Sequence, residues 1–308
     1  MIRSTAVFVE RAFSVLIILG AVAGIRAPDH LLWLKPYIPM MLSWIMFAIG
    51  LTIRAEHLKA LAVRPLLILF ALGKFLVMPW VAYGIARLLQ LPPELLIGMV
   101  ILGACPGGVS ANVMSYLAKA NTAVAVLLTI LTTLLSPFFT PWIVYLFFHH
   151  SIEMDMWSMV QKLFWVVLFP MADAFILRRF LVQKIERIEW LFPALSMLMI
   201  VLIIAFVAAA NRAVLLNDPW MALVAVMLFN AGGFAAGYAI ARISRCDEAT
   251  ARAVGFEYSI QDSSLGIIVA TGFFSALAAL PSALCSVLQN ITGPWLAQYF
   301  AKVKKPHA

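Results

Sequence analysis

Three ionisable side chains, Lys74, Glu257 and Asp262, stand in stretches too apolar to solvate them. At 1.5 Å per helical residue, Lys74 lies roughly 14 Å past Pro65, where its apolar stretch begins. Glu257 lies roughly 12 Å past Ala249, and Asp262 follows within the same segment. In a hydrocarbon layer about 30 Å thick, all three fall near the middle. Each costs about 2.5–3.5 kcal/mol to place there, so such residues face a cavity or pair with one another. A Lys74–Glu257 ion pair joining two helices is one such arrangement and is compatible with function. Asp173, close to Arg178, reads as interfacial.

Two polar interruptions flank these charges. Cys105-Pro106-Gly107-Gly108-Val109-Ser110-Ala111-Asn112 falls in mid-segment, and Pro and Gly there break the backbone ladder. Glu257-Tyr258-Ser259-Ile260-Gln261-Asp262-Ser263-Ser264 has no Pro, but packs Glu, Gln, Asp and three Ser together. Glu257 and Gln261, at i and i+4, are expected to share a helix face. Carboxylate and amide oxygens with freed backbone carbonyls are hard ligands suited to an alkali cation, and half-helix N-termini suit an anionic group. Asn112, Thr129, Thr132, Thr133, Asn230, Gln289 and Asn290 add polar groups within apolar segments. Taken singly, each is better explained by packing.

The elements that must position these groups follow from composition. Of 308 residues, 64% are hydrophobic and 12% charged, with a mean hydropathy of +0.99. A soluble domain carries about 25% charge. The chain therefore cannot cover a water-facing surface, which excludes soluble nucleic-acid-binding, disordered and disulfide-rich classes. Cys105, Cys246 and Cys285 are odd in number and imply no disulfide framework. Ten apolar segments emerge: 13–25, 37–53, 65–89, 94–118 and 122–148, then 157–177, 193–210, 220–243, 249–271 and 281–300. The first is short and could pass for a signal peptide, but 157–177 gives it a counterpart. With the N-terminus inside, sixteen Lys and Arg fall on the inner side (Arg3, Arg11, Arg54, Lys59, Arg64, Lys119, Arg178, Arg179, Lys184, Arg187, Arg242, Arg245, Arg252, Lys302, Lys304, Lys305) and five outside (Arg26, Lys35, Arg87, Lys162, Arg212). That asymmetry places both termini in the cytoplasm and also accounts for the net charge of +8. The expectation is an all-α polytopic membrane protein of the inner (plasma) membrane. Its ten spans divide into two inverted five-helix repeats, 1–150 and 151–308, with both fourth spans broken.

The residues then resemble a family. Cys105 to Lys119 is similar to the fourth-helix signature of the bile acid:sodium symporters, and 134–141 to their fifth helix. Residues 256–264 and 280–293 resemble their ninth and tenth. The resemblance implies a core domain (spans 3–5 and 8–10, with crossing broken helices 4 and 9) against a panel (spans 1, 2, 6 and 7). It implies alternating access for a small organic solute, an anion in that family. It places an ion site at Asn112, Thr129, Glu257 and Gln261, and substrate contacts at Gly108, Val109, Ser110, Asp262, Ser263, Gln289 and Asn290.

Departures from the pattern matter equally. Lys74 stands where the family carries a Gln sodium ligand, and Ala111 and Ala125 stand where Ser is usual. Asp262 replaces Asn, Gln289 replaces His and Val109 replaces Thr. Lys74 is thus expected to substitute for one Na⁺, leaving transport sodium-independent or driven by H⁺ through Lys74, Glu257 or Asp262; ordinary sodium symport is the alternative. An ionised Asp262 repels an anion. It is therefore protonated, paired with Lys74 or turned away, or else the substrate is not an anion. The implied partners are a small-molecule substrate and the bilayer, with no nucleic acid, protein or organic cofactor. A membrane enzyme is disfavoured: all five His fall in loops or tails, and no H-E-x-x-H or G-x-S-x-G motif occurs. A metalloid exporter using Cys105 fits the Pro-Gly-Gly less well than a packed thiol does.

Overall fold

In the computed structural model, described for residues 2–54, 56–57, 60, 65–150, 155–188 and 191–302, the chain is helical throughout. Lys59, Arg64, Lys304, Lys305 and His307 lie outside the described residues. The first half comprises α1 (Ile2–Arg26), α2 (Ile38–Thr52), α3 (Pro65–Leu88), α4 (Pro93–Gly103), α5 (Ser110–Leu117) and α6 (Thr122–Phe148). The second comprises α7 (Met156–Leu163), α8 (Phe169–Ile188), α9 (Leu191–Ala210), α10 (Arg212–Asn217), α11 (Trp220–Ile243), α12 (Glu248–Ser259), α13 (Ser263–Phe273) and α14 (Leu280–Lys302). A wide π turn, Phe164–Leu168, joins α7 to α8. The first helix is longer than its apolar core of 13–25 suggests, because the polar residues ahead of it continue the same helix.

Local chemistry sets many of these boundaries. Pro93 starts α4, where a missing N–H costs nothing. Side chains of Asn121, Asp155, Asp247 and Asp262 cap α6, α7, α12 and α13 by accepting from backbone N–H groups. Among the described residues, five helical stretches are long and apolar enough to cross a membrane: Pro28–Thr52, Pro65–Leu88, Thr122–Phe148, Met156–Leu181 and Trp220–Ile243. Shorter apolar helices, among them Pro93–Gly103 and Ser263–Phe273, lie between them. Large apolar side chains such as Leu76, Trp142, Trp165 and Trp220 face outward. Backbone groups close within helices, as a lipid environment requires. The chain is a polytopic, all-helical membrane protein.

The helices pack in two groups. Helix α1 lies along α9, and α2 lies between α8 and α9. Small residues allow these close approaches: a Cβ at Gly24 would meet Ala205 O at 2.2 Å, and one at Gly50 would meet Met171 O at 2.4 Å. In the other group, α3 packs on α4, α6 and α11, α12 packs on α5, α6 and α11, and α14 packs on α5, α11 and α13. Both interrupted segments belong to this second group.

Candidate functional site

Helix α4 stops at Gly103 and α5 starts at Ser110, while α12 stops at Ser259 and α13 starts at Ser263. Between them the two non-helical stretches of backbone pair with each other. Gly108 N donates to Ile260 O (3.0 Å) and Asp262 N donates to Pro106 O (2.9 Å), an antiparallel bridge between Gly107 and Gln261. Backbone groups freed by the interruptions thus find partners across the crossing. Gln289 fastens one side from α14: its Oε1 accepts from Gln261 N (3.1 Å) and its Nε2 donates to Gln261 O (3.1 Å).

Glu257 sits fully buried beside this crossing. Thr129 Oγ1 donates to its Oε2 at 2.8 Å and Thr132 Oγ1 to its Oε1 at 3.1 Å. Asn112 Oδ1 lies 3.1 Å from Thr129 Oγ1, so Asn112, Thr129 and Glu257 form one oxygen cluster. Lys74, also fully buried, reaches in from α3: its Nζ donates to Glu257 O at 2.6 Å and lies 3.9 Å from Glu257 Oε1. Lys74 and Glu257 therefore form a buried ion pair between α3 and α12. Gly107 closes the other side, and a Cβ there would stand 1.8 Å from Glu257 Oε1.

Gln261 does not share a helix face with Glu257, contrary to the i, i+4 expectation. The helix ends at Ser259, so Gln261 lies in the extended crossing and its spacing carries no helical meaning. Its Nε2 donates to Tyr258 O at 2.8 Å, while its Oε1 is buried without a hydrogen-bond partner among the described residues. Thr132, read from sequence as a packing residue, is a direct partner of Glu257 and also accepts from Gly107 N at 3.2 Å. Cys105 is a packed thiol, 0% exposed, donating to Ile101 O.

A cavity of about 320 Å³ opens at the crossing. Gly108, Val109, Ser110, Asp262, Ser263, Gln289 and Asn290, the substrate residues expected from sequence, all line it, together with Gln261 and Thr133. Lys74, Glu257, Thr129 and Asn112 stand outside that lining, behind the crossing. Apolar residues of α1, α2 and α9 supply the facing wall, among them Phe13, Ile45 and Phe192. Nothing in the sequence singled these out, because an apolar residue facing a cavity has the same type as one facing lipid. Among the described lining residues no Lys, Arg or His occurs. Asp262 is neither paired with Lys74 nor turned away from the cavity.

Residues 39–218 match the Sodium Bile acid symporter family. Over its whole length the chain is 36% identical to a protein of Bacillus subtilis named an uncharacterized sodium-dependent transporter, covering 97% of that protein. A chloroplastic protein of Arabidopsis thaliana, named a probable sodium/metabolite cotransporter, is 28% identical over 94% of this chain and 73% of its own length. A rice chloroplastic protein of the same description is 29% identical over 94% of this chain. Crossing broken helices, a cavity at their meeting point and this similarity agree: the chain belongs to the sodium bile acid symporter family and is a secondary transporter, not an enzyme.

Proposed function

We propose that the chain moves a small organic solute by alternating access, with the Lys74 ammonium standing in place of one sodium ion. One observation carries this reading: Nζ sits 2.6 Å from the Glu257 carbonyl and 3.9 Å from its carboxylate, at a helix break. A freed carbonyl and a carboxylate are what a cation site at a broken helix offers. Lys74 is covalently fixed there and already balances the single charge of Glu257. A further Na⁺ on Asn112, Thr129 and Glu257 would add an uncompensated charge to a buried cluster, in a site that Ala111 and Ala125 leave short of hydroxyls. Any coupling then falls to a proton on Lys74, Glu257 or Asp262. The relatives named as a sodium-dependent transporter and as probable sodium/metabolite cotransporters, and the oxygen cluster itself, favour the second reading, ordinary sodium symport.

The architecture follows the same proposal. Residues 1–150 and 151–308 form two inverted five-span repeats, termini in the cytoplasm, in a plasma membrane. The α3–α6 and α11–α14 group is the core, and α1, α2, α7, α8 and α9 are the panel. The packing of the helices into two groups supports this division, and so does the cavity between them. Gly108, Val109, Ser110, Asp262, Ser263, Gln289 and Asn290 are its substrate contacts. Calorimetric titration of NaCl into the purified chain in choline chloride tests the central step. No saturable sodium heat is expected from the native chain, and one site is expected in Lys74→Gln. Saturable sodium binding by the native chain overturns the proposal.

A further inference from the structure

We infer that the solute carries a positively charged, hydrogen-bond-donating head on an apolar body, and that Asp262 receives this head. The inference rests on the reading of the cavity as the substrate site. Asp262 is the one ionisable residue among the described lining residues, and it is partly exposed there. Its Oδ1 caps α13 by accepting from Leu265 N at 3.4 Å. The Ser264 backbone N–H is a further donor to this carboxylate, and among the described residues no cation lies within ion-pair distance of it. Lys74, the basic residue behind the crossing, is 0% exposed and committed to Glu257. A carboxylate in a cavity, with no cation of its own, is matched by a cation that the ligand brings.

The neighbouring groups agree with a donor head. Gln261 lines the same cavity, is 1% exposed, and keeps Oε1 as an acceptor with no partner among the described residues. Its orientation is fixed because Nε2 is spent on Tyr258 O. The N-termini of α5 and α13 would by themselves favour an anion, but Asp262 already neutralises that of α13. Across the cavity, Ile45, Ile49, Phe192, Met197 and Ile200 form an apolar wall suited to a hydrocarbon or aromatic body. A volume of about 320 Å³ fits a small organic molecule.

The test compares phenethylammonium with hydrocinnamate, which share a skeleton and differ in the sign of the head. Each is titrated into the purified full chain while the apparent melting temperature is followed. Phenethylammonium is expected to stabilise the native chain saturably and hydrocinnamate is not. Asp262→Asn keeps the helix cap, since Asn caps as well as Asp, and removes the charge. It is expected to weaken phenethylammonium by about tenfold or more and to admit hydrocinnamate. Asp262→Ser, another capping residue, checks that the loss follows charge rather than local folding. Stronger stabilisation by the carboxylate, an ammonium effect that survives in both variants, or no shift from either probe overturns the inference. Both probes are read at one fixed sodium concentration. Sodium binding by the native chain, which refutes the fixed-cation reading, therefore leaves this result standing.

Discussion

Replacing Lys74 by Gln removes the ammonium and keeps a polar chain of similar reach. Glu257 then loses its counter-charge while remaining 0% exposed, with only the Thr129 and Thr132 hydroxyls on its oxygens. Removing one partner of a buried ion pair costs about 3–5 kcal/mol, because the other charge stays behind unpaired. Unfolding entropy of about 2.1 cal/mol/K per residue over this chain means that 1 kcal/mol moves a midpoint by about 1.5 °C. The expected loss is therefore roughly 5–8 °C in choline chloride. Sodium should restore part of it, since Glu257 O and the Glu257 carboxylate, the two groups that face the Lys74 ammonium, would be left to a cation from solution. The assay is the apparent melting temperature of native and Lys74→Gln proteins in matched sodium and choline salts. A variant that melts with the native chain in choline, or that shows no recovery in sodium, refutes the reasoning.

Three further outcomes follow from the geometry around the crossing. Thr132→Val keeps the shape but removes the donor to Glu257 Oε1 and the acceptor for Gly107 N; a loss of about 1.5–3 kcal/mol is expected, read by thermal unfolding. Gly107→Ala places a Cβ 1.8 Å from Glu257 Oε1, where the carboxylate is held by two threonines. The yield of monodisperse protein in detergent should fall steeply, by overpacking of about 1–3 kcal/mol or more. At the α11–α12 turn, the Asp247 carboxyl is held below its usual range, chiefly by the Thr250 side-chain hydrogen bond. Such a group contributes stability that is fully present above the unfolded value of about 3.9 and is lost as pH falls from there through the lower folded value. Asp247→Asn keeps the cap and should remove that part of the acid-induced drop in a melting-temperature series.

Much of the fold was legible because lipid demands long apolar helices, and Lys74, Glu257 and Asp262 stood out against that background. The pairing of Lys74 with Glu257 was readable as one option, since two opposite charges at similar depth each lower the other's cost. The interruption at Pro106-Gly107-Gly108 had a covalent cause visible in residue type. The second did not. No Pro or Gly marks where α12 ends; the pairing with the first crossing and the Gln289 amide of α14 take the backbone groups that would continue the helix past Ser259. That tertiary cause is why Gln261 was misassigned to the face of Glu257. Thr132 reads as a packing residue for a related reason, as hydroxyls in membrane helices mostly bond their own helix, and the close approach of α6 to α12 gives it a carboxylate. The apolar wall from α1, α2 and α9 was invisible, since residue type does not distinguish cavity from lipid.

The proposal that the Lys74 ammonium stands in place of one sodium ion carries the most weight. It is tested most directly by melting the native purified chain in sodium, potassium and choline salts at one ionic strength. A ligand that binds the folded state raises the apparent melting temperature by mass action. The account predicts the same midpoint in all three salts. A midpoint that rises only in sodium, and saturably with its concentration, contradicts it.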